Sequence, residues 1–202
     1  MKRIQYFFFL DSTGYGLSAL AYISALQQHH QVQPVPLLQC PETHRYKPVR
    51  QVKDGNQIAK RILHQLFDDA SELSSFDQSL SCEMVPDITV IHTIPDYFSE
   101  FRNPESRNIG ITVWEYDSVP SSWLIHLDLM DALVVPSEFC KSAFEKSGTA
   151  SPLFCVPHVL RKPERSPASD QTALRKALSI DADAFVFYCI NDWTLRKNLR
   201  DL

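Results

Sequence analysis

Short apolar runs of strand length alternate with segments of helical period along this chain, and this alternation constrains the fold most. Residues 4–10 predict a first buried strand, and the apolar positions that follow it predict a helix ending near His29 and His30. Apolar strands that alternate with helices are typical of a parallel sheet covered on both faces. The sequence therefore predicts an α/β fold with a mainly parallel sheet.

The same pattern predicts the other elements of the first 160 residues. Strands are predicted at residues 32–38, 88–94, 109–114, 132–135 and 153–156, and helices at residues 55–69, 121–130 and 137–146. The third of these helices is closed by Gly148 as its C-cap. Pro34 and Pro36 cannot donate to a ladder, so they favour an edge position or a short length for the strand that contains them.

A polar stretch with Pro163 and Pro167 interrupts this alternation near the end of the chain. We interpret residues 1–160 as one domain and residues 161–183 as a linker with a short helical piece at 171–178. Residues 184–202 then form the incomplete start of a second domain, beginning with a strand at 184–190.

Charge and cysteine content exclude several classes of protein. The 20 basic and 24 acidic side chains give a formal net charge of −4, which disfavours nucleic acid as a partner. The five cysteines show no C-x-x-C spacing, which predicts reduced thiols in a cytoplasmic protein. The apolar run after Met1 is short and meets Asp11 at once, so a buried strand is favoured over a signal peptide. No apolar run is long enough to cross a bilayer, and the histidines show no metal-binding spacing.

A glycine turn follows the first predicted strand. Residues 11–19, DSTGYGLSA, fit the pattern G-x-G-x-x-A between a strand and a helix, with Gly14, Tyr15 and Gly16 as candidate substrate-binding residues. Glycines let the backbone approach a ligand closely, and a helix N-terminus offers N–H groups to an anion. Three interpretations stay open: a tight turn without a ligand, a dinucleotide site, and a loop that lines a sugar-nucleotide cleft.

Acidic and aromatic residues follow the predicted strand at 109–114. Trp114, Glu115 and Asp117 lie at its carboxyl end, which is where open α/β sheets bind their ligands. Carboxylates accept hydrogen bonds from sugar hydroxyls, and an aromatic face packs on a pyranose ring. The group therefore suits a polyhydroxyl ligand. The alternative is that either acid is solvated or caps the next helix.

The same segment carries a family resemblance. Residues 112–117, TVWEYD, are followed by the dipeptide at 119–120, VP, and by Trp123, and then by residues 130–139, MDALVVPSEF. In this order they resemble bacterial members of glycosyltransferase family 4.

Two later segments extend the resemblance. Residues 155–159, CVPHV, are similar to the segment with which that family leaves its first domain, although Val159 stands where glycine is usual. Residues 191–198, NDWTLRKN, resemble the opening of the family's second domain. Matches thus run in order from about residue 88 to the end of the chain, whereas residues 40–85 show none.

The resemblance implies a GT-B fold of two Rossmann-like domains, of which the first mainly binds the acceptor and the second binds a nucleotide-sugar donor. It implies a glycan or lipid-linked acceptor, as in cell-envelope polysaccharide synthesis, and it allows a peripheral contact with the inner membrane. Transfer in the family needs no metal and no other cofactor. Arg196 and Lys197 would neutralise the donor diphosphate. Glu115 and His92 are the catalytic candidates, with a hydrogen-bonded histidine at a strand end as the alternative for His92.

The family's glutamate pair, E-x7-E, is expected in the second domain beyond Leu202, so we expect residues 1–202 alone to transfer sugar slowly or not at all. An inactive domain is one alternative function. A nicotinamide oxidoreductase is the other, but it requires an acid at the end of the second strand, where Gln39 and Cys40 stand.

Overall fold

A computed structural model describes residues 1–67, 70–80, 84–159, 171–181 and 183–187. The chain divides into two compact units, Met1–Arg161 and Lys162–Leu202. In the first unit, the described residues form one seven-stranded sheet with helices on both faces.

The sheet has the strand order β3-β2-β1-β4-β5-β6-β7. Its strands are β1 (Arg3–Phe9), β2 (Gln31–Gln39), β3 (Tyr46–Pro48), β4 (Ile88–His92), β5 (Arg107–Ile111), β6 (Ala132–Val135) and β7 (Leu153–Cys155). All neighbouring strands are parallel except β2 and β3, which form an antiparallel pair. The prediction of a mainly parallel, Rossmann-like α/β fold is therefore confirmed.

Helices connect the strands. They are α1 (Gly14–Gln27), α2 (Gly55–Leu66), α3 (Ala70–Leu80), α4 (Phe98–Phe101), α5 (Ser121–Leu127), α6 (Glu138–Lys146) and α7 (Gln171–Ala177), with 3₁₀ turns at Val49–Gln51 and Pro95–Tyr97. The side chain of Ser137 caps α6 by accepting a hydrogen bond from the backbone N–H of Cys140 at 3.2 Å. Gly148, just beyond the C-cap Ser147, has a φ of +89° and ends this helix as expected.

The core lies on both faces of the sheet because successive strand side chains point to opposite sides. Tyr6 and Phe8 of β1 are fully buried on one face with Leu20 of α1. On the other face, Leu133 of β6 packs with Phe98. Burial on both faces explains why the strands read as nearly continuous apolar runs.

The two prolines of β2 stand at positions where no neighbouring described strand requires a backbone N–H donor. The backbone N–H of Leu10 donates to the oxygen of Leu37 at 2.9 Å, so alternation turns Pro34 and Pro36 away from β1. β3 pairs only with the last residues of β2, from Leu37 to Gln39. Pro34 and Pro36 therefore face a side of β2 that pairs with no described strand at these residues. The strand itself is nine residues long and lies second in the sheet order, so the expectation of an edge position or a short length is wrong for β2 as a whole.

Several boundaries differ from the sequence prediction. β4 and β5 end at His92 and Ile111, earlier than expected, because the chain then leaves the sheet to build connecting segments. Helix α3 was not predicted, since its serines and acids obscure the apolar spacing of Leu73, Phe76 and Leu80.

The second unit is described only in part. It contains α7, at Gln171–Ala177, within the predicted helical piece. Residues 184–187 form no strand with any described residue, and residues 188–190 lie outside the described part. A first strand of a second domain therefore stays a prediction. Within the described part of the chain, no helix is long and apolar enough to cross a membrane.

Candidate functional site

The candidate site lies where the strand order reverses. β1 has β2 on one side and β4 on the other, and their connections leave in opposite directions along the sheet. Such a switch point opens a crevice at the carboxyl ends of the strands, where α/β proteins bind ligands. We call residues 10–16, 93–94 and 112–119, which follow β1, β4 and β5, the carboxyl edge.

The glycine turn after β1 is fixed by Asp11 and Gly16. One carboxylate oxygen of Asp11 accepts hydrogen bonds from the backbone N–H, at 2.9 Å, and from the hydroxyl of Thr13, the N-cap of α1. A Cβ at Gly16 would overlap the backbone oxygen of Asp11, whereas a Cβ at Gly14 would meet nothing within 4 Å. Gly16 thus allows the close packing of α1 on the strand end, and Gly14 leaves the outer face of the turn open.

Tyr15 joins the glycine turn to the segment after β5. Its hydroxyl lies 3.1 Å from the Thr112 hydroxyl and accepts a hydrogen bond from the backbone N–H of Val113 at 3.3 Å. Burial raises the pKa of this phenol. The hydroxyl is directed inward, so its geometry favours a role in positioning the segment after β5 over direct contact with a substrate.

His92 is buried beneath the carboxyl edge, with a relative exposure of 2%. Its Nδ1 lies 2.9 Å from the Tyr6 hydroxyl, and its Nε2 lies 3.4 Å from the Ser18 hydroxyl. Burial, and to a lesser degree His158, lowers the pKa of His92 to about 3. The imidazole is therefore neutral near pH 7.

The surroundings of His92 decide which role its geometry favours. The rings of Tyr15 and Tyr22 stand at its sides, each with its centroid 5.8 Å from that of the imidazole. A catalytic acid or base needs a nitrogen within reach of the substrate. Both nitrogens of His92 face protein hydroxyls, so the geometry favours its alternative role as a hydrogen-bonded histidine at a strand end.

The segment after β5 brings the other predicted residues to the carboxyl edge. Trp114 is half-buried: its backbone N–H donates to Cys140 Sγ at 3.3 Å, and its indole N–H donates to the oxygen of Ser118 at 2.6 Å. Glu115 and Asp117 are exposed, and Asp117 accepts a hydrogen bond from the Ser118 hydroxyl at 3.3 Å. Both residues therefore lie at the solvent-exposed surface of the carboxyl edge.

The antiparallel hairpin of β2 and β3, which lies beside the glycine turn, was not predicted from the sequence. The ring of Tyr46 lies on Phe9 with centroids 4.0 Å apart, and its backbone N–H donates to the Tyr97 hydroxyl at 3.1 Å. Arg45 stacks over the Tyr97 ring at 4.7 Å and pairs with Glu100 at 2.9 Å. These contacts join residues that are far apart in the sequence, so no local spacing pattern predicts them. The aromatic residues of the segment are the only sequence feature that indicates such packing.

Tyr22 was also missed. Its hydroxyl donates to the backbone oxygens of Val156 and Pro157, both at 3.0 Å, and its ring lies 6.3 Å from that of His158. This contact holds the segment that follows β7 against α1. Helical periodicity places Tyr22 on the core face of α1, but periodicity alone does not identify its partner.

Arg196 and Lys197 are outside the described residues, so their predicted contact with a donor diphosphate stays a prediction.

Two cavities, of about 220 Å³ and 800 Å³, lie beside the outer edge of β2 and are lined by none of the predicted site residues. In the ranges that the structure describes, no group of three or more His, Cys, Asp and Glu side chains is arranged to hold a metal ion.

Comparison with known proteins assigns no family and no function to this site. No protein-family model matches the chain, and no curated protein matches it significantly.

Proposed function

We propose that this chain carries the acceptor-binding domain of an enzyme that transfers a sugar from a nucleotide-sugar donor to a glycan or lipid-linked acceptor. The observation that carries the proposal is the composition of the carboxyl edge. A glycine turn open at Gly14 follows β1, and a segment with exposed Glu115 and Asp117 follows β5, at the same edge of the sheet and with β4 between the two strands. Carboxylates and aromatic rings are the groups that bind polyhydroxyl ligands.

Glu115, an exposed residue of the carboxyl edge, is the residue assigned to chemistry in this proposal. It would accept the proton of the acceptor hydroxyl while that oxygen forms a bond to the anomeric carbon of the donor sugar. The nucleoside diphosphate leaves with the electrons of the broken bond, and Arg196 and Lys197 would neutralise its charge. Buried His92 acts in this scheme as a positioning residue.

The end of β2 favours this proposal over nicotinamide chemistry. A dinucleotide site places a carboxylate at this end to bind the ribose hydroxyls. Here β2 ends at Gln39, and the next side chain, Cys40, donates a hydrogen bond to Glu42 at 2.8 Å. The one acid in this turn thus lies beyond the strand end and is engaged by a thiol.

Saturation-transfer NMR of the purified chain tests the proposal, because it detects weak binding. UDP-glucose and GDP-mannose are compared with NAD and NADP, and transfer to an envelope lipid extract is measured in parallel. We expect signals from the sugar protons of at least one nucleotide sugar and none from the nicotinamide protons. Tight nicotinamide binding without a nucleotide-sugar response would contradict the proposal. If wild type shows residual transfer, an equal rate for Glu115→Gln would contradict the role of Glu115.

A further inference from the structure

The segment between Thr112 and Val119 has a fixed base and an exposed tip. Its base is held by the two hydrogen bonds of Trp114 described above and by the backbone N–H of Val119, which donates to the Ser147 hydroxyl at 2.9 Å. The three residues between these contacts, which we call the tip, are Glu115, Tyr116 and Asp117. All three are exposed.

Trp114 supports the tip from below. Its ring lies 4.6 Å from that of Trp123, whose indole N–H donates to a carboxylate oxygen of Asp96 at 2.8 Å. The indole of Trp114 is thus half-buried with its only donor engaged, which leaves it poorly placed to receive a sugar ring.

Tyr116 is the exposed ring of this arrangement. Its centroid lies 5.2 Å from that of Trp114 at an interplanar angle of 49°, and the residue is 53% exposed. An aromatic ring that rests on a second, anchored ring loses little conformational freedom when a ligand packs on its outer face.

We propose that Tyr116 is the platform for the sugar ring of the acceptor, and that Glu115 and Asp117 make this platform selective for neutral sugars over uronates. The proposal rests on the proposed function, since it names the acceptor class of the same site. The apolar C–H face of a pyranose packs on the phenol ring, and its hydroxyls donate to the flanking carboxylates. A uronate brings a third negative charge to the tip, where Coulomb repulsion weakens its binding.

The probes are methyl glucopyranoside, methyl galactopyranoside and methyl glucuronide, titrated into the full chain at low salt without any donor. Saturation-transfer NMR should show binding of at least one neutral glycoside, with the strongest transfer to the protons of one ring face. We expect methyl glucuronide to bind roughly three- to tenfold more weakly, which is the size expected for repulsion at an exposed site.

Matched variants assign the effect to the tip. Tyr116→Ala should abolish glycoside binding, whereas Tyr116→Phe should retain it. Phe154→Ala is the control, because Phe154 on β7 is an aromatic residue of similar exposure, 55%. The double variant Glu115→Gln, Asp117→Asn should bind the glucuronide as well as it binds the neutral glycosides.

Three results would overturn this inference: no glycoside binding to the wild-type chain, glycoside binding that Tyr116→Ala leaves unchanged, or equal affinity of the wild-type chain for neutral and uronate rings. A nucleotide-sugar response without glycoside binding rejects the Tyr116 platform alone. Glycoside binding at Tyr116 without any nucleotide-sugar response or transfer rejects the transferase alone.

Discussion

The hydroxyl of Tyr6 and Nδ1 of His92 lie 2.9 Å apart on the neighbouring parallel strands β1 and β4, where His92 is in register with Phe8, two residues beyond Tyr6. Both residues are buried, with relative exposures of 0% and 2%. This contact lies at the point where the strand order reverses, directly beneath the carboxyl edge. Loss of this contact should therefore affect both the stability of the core and the geometry of the candidate site.

Replacing Tyr6 by Phe removes the hydroxyl that faces His92 and leaves a buried ring nitrogen without that partner. We expect the free energy of unfolding to fall by about 1–3 kcal/mol, the usual cost of an unsatisfied buried polar group. Urea denaturation followed by circular dichroism measures it. Tyr116→Phe is the control, because Tyr116 is exposed and should change stability by less than about 0.5 kcal/mol. Equal stability of wild type and Tyr6→Phe would show that the contact contributes nothing.

The pH dependence of stability tests the neutral state of His92. Its pKa is lowered to about 3 in the folded protein, against an ordinary value of 6.5. Between these values the unfolded chain binds a proton that the folded chain does not, so stability falls as the pH falls. The loss is about 1.4 kcal/mol per pH unit below pH 6.5.

The comparison variant for this measurement is His92→Gln, which keeps a polar side chain without a titrating ring. Unfolding is measured between pH 4.5 and pH 7, above the range in which Asp87 titrates, since Arg3 lowers the pKa of that carboxyl to about 2. The stability of wild type should fall more steeply than that of the variant in this range. Parallel pH profiles would refute the buried neutral histidine.

The two glycines of the turn give opposite predictions. Gly16→Ala places a methyl group against the backbone oxygen of Asp11, so α1 must shift. Overpacking of this kind typically costs about 1–3 kcal/mol. Gly14→Ala meets open space, and it should be neutral or stabilise by up to about 1 kcal/mol, because it restricts the unfolded chain. Thermal unfolding of both variants measures the difference, and equal destabilisation by the two would contradict the packing described for the turn.

Trp114→Phe tests how the tip is held. The variant keeps an aromatic ring against Trp123 but loses the indole N–H that donates to Ser118 at 2.6 Å. We expect faster hydrogen exchange at residues 115–118 and a stability loss of about 0.5–1.5 kcal/mol, the net value of one hydrogen bond. Unchanged exchange at the tip would mean that other contacts fix it.

The strands and the main helices of the first unit could be predicted from the sequence because hydrophobic periodicity is a local signal. β6 matches its predicted bounds, and Gly148 ends α6 as expected. The helix α3 and the short strand β3 were missed, because polar residues dilute the pattern in the first and tertiary pairing defines the second.

The candidate site was predictable in position but not in detail. The sequence places Trp114 at a carboxyl end, yet only three-dimensional packing on Trp123 shows that its ring supports Tyr116. Likewise, the burial of His92 between the hydroxyls of Tyr6 and Ser18 depends on contacts across 86 and 74 residues, which no local pattern encodes.

If the carboxyl edge binds the sugar ring of the acceptor, the backbone amides of its residues should respond to that ligand. Backbone amide NMR shifts of the full chain, titrated with the acceptor analogues methyl glucopyranoside and methyl galactopyranoside, measure this response residue by residue. We expect the largest shifts at residues 11–16 and 112–118. Shifts confined to residues around the cavities beside β2, such as Asn56 and Lys60, would contradict it, and so would the absence of any shift.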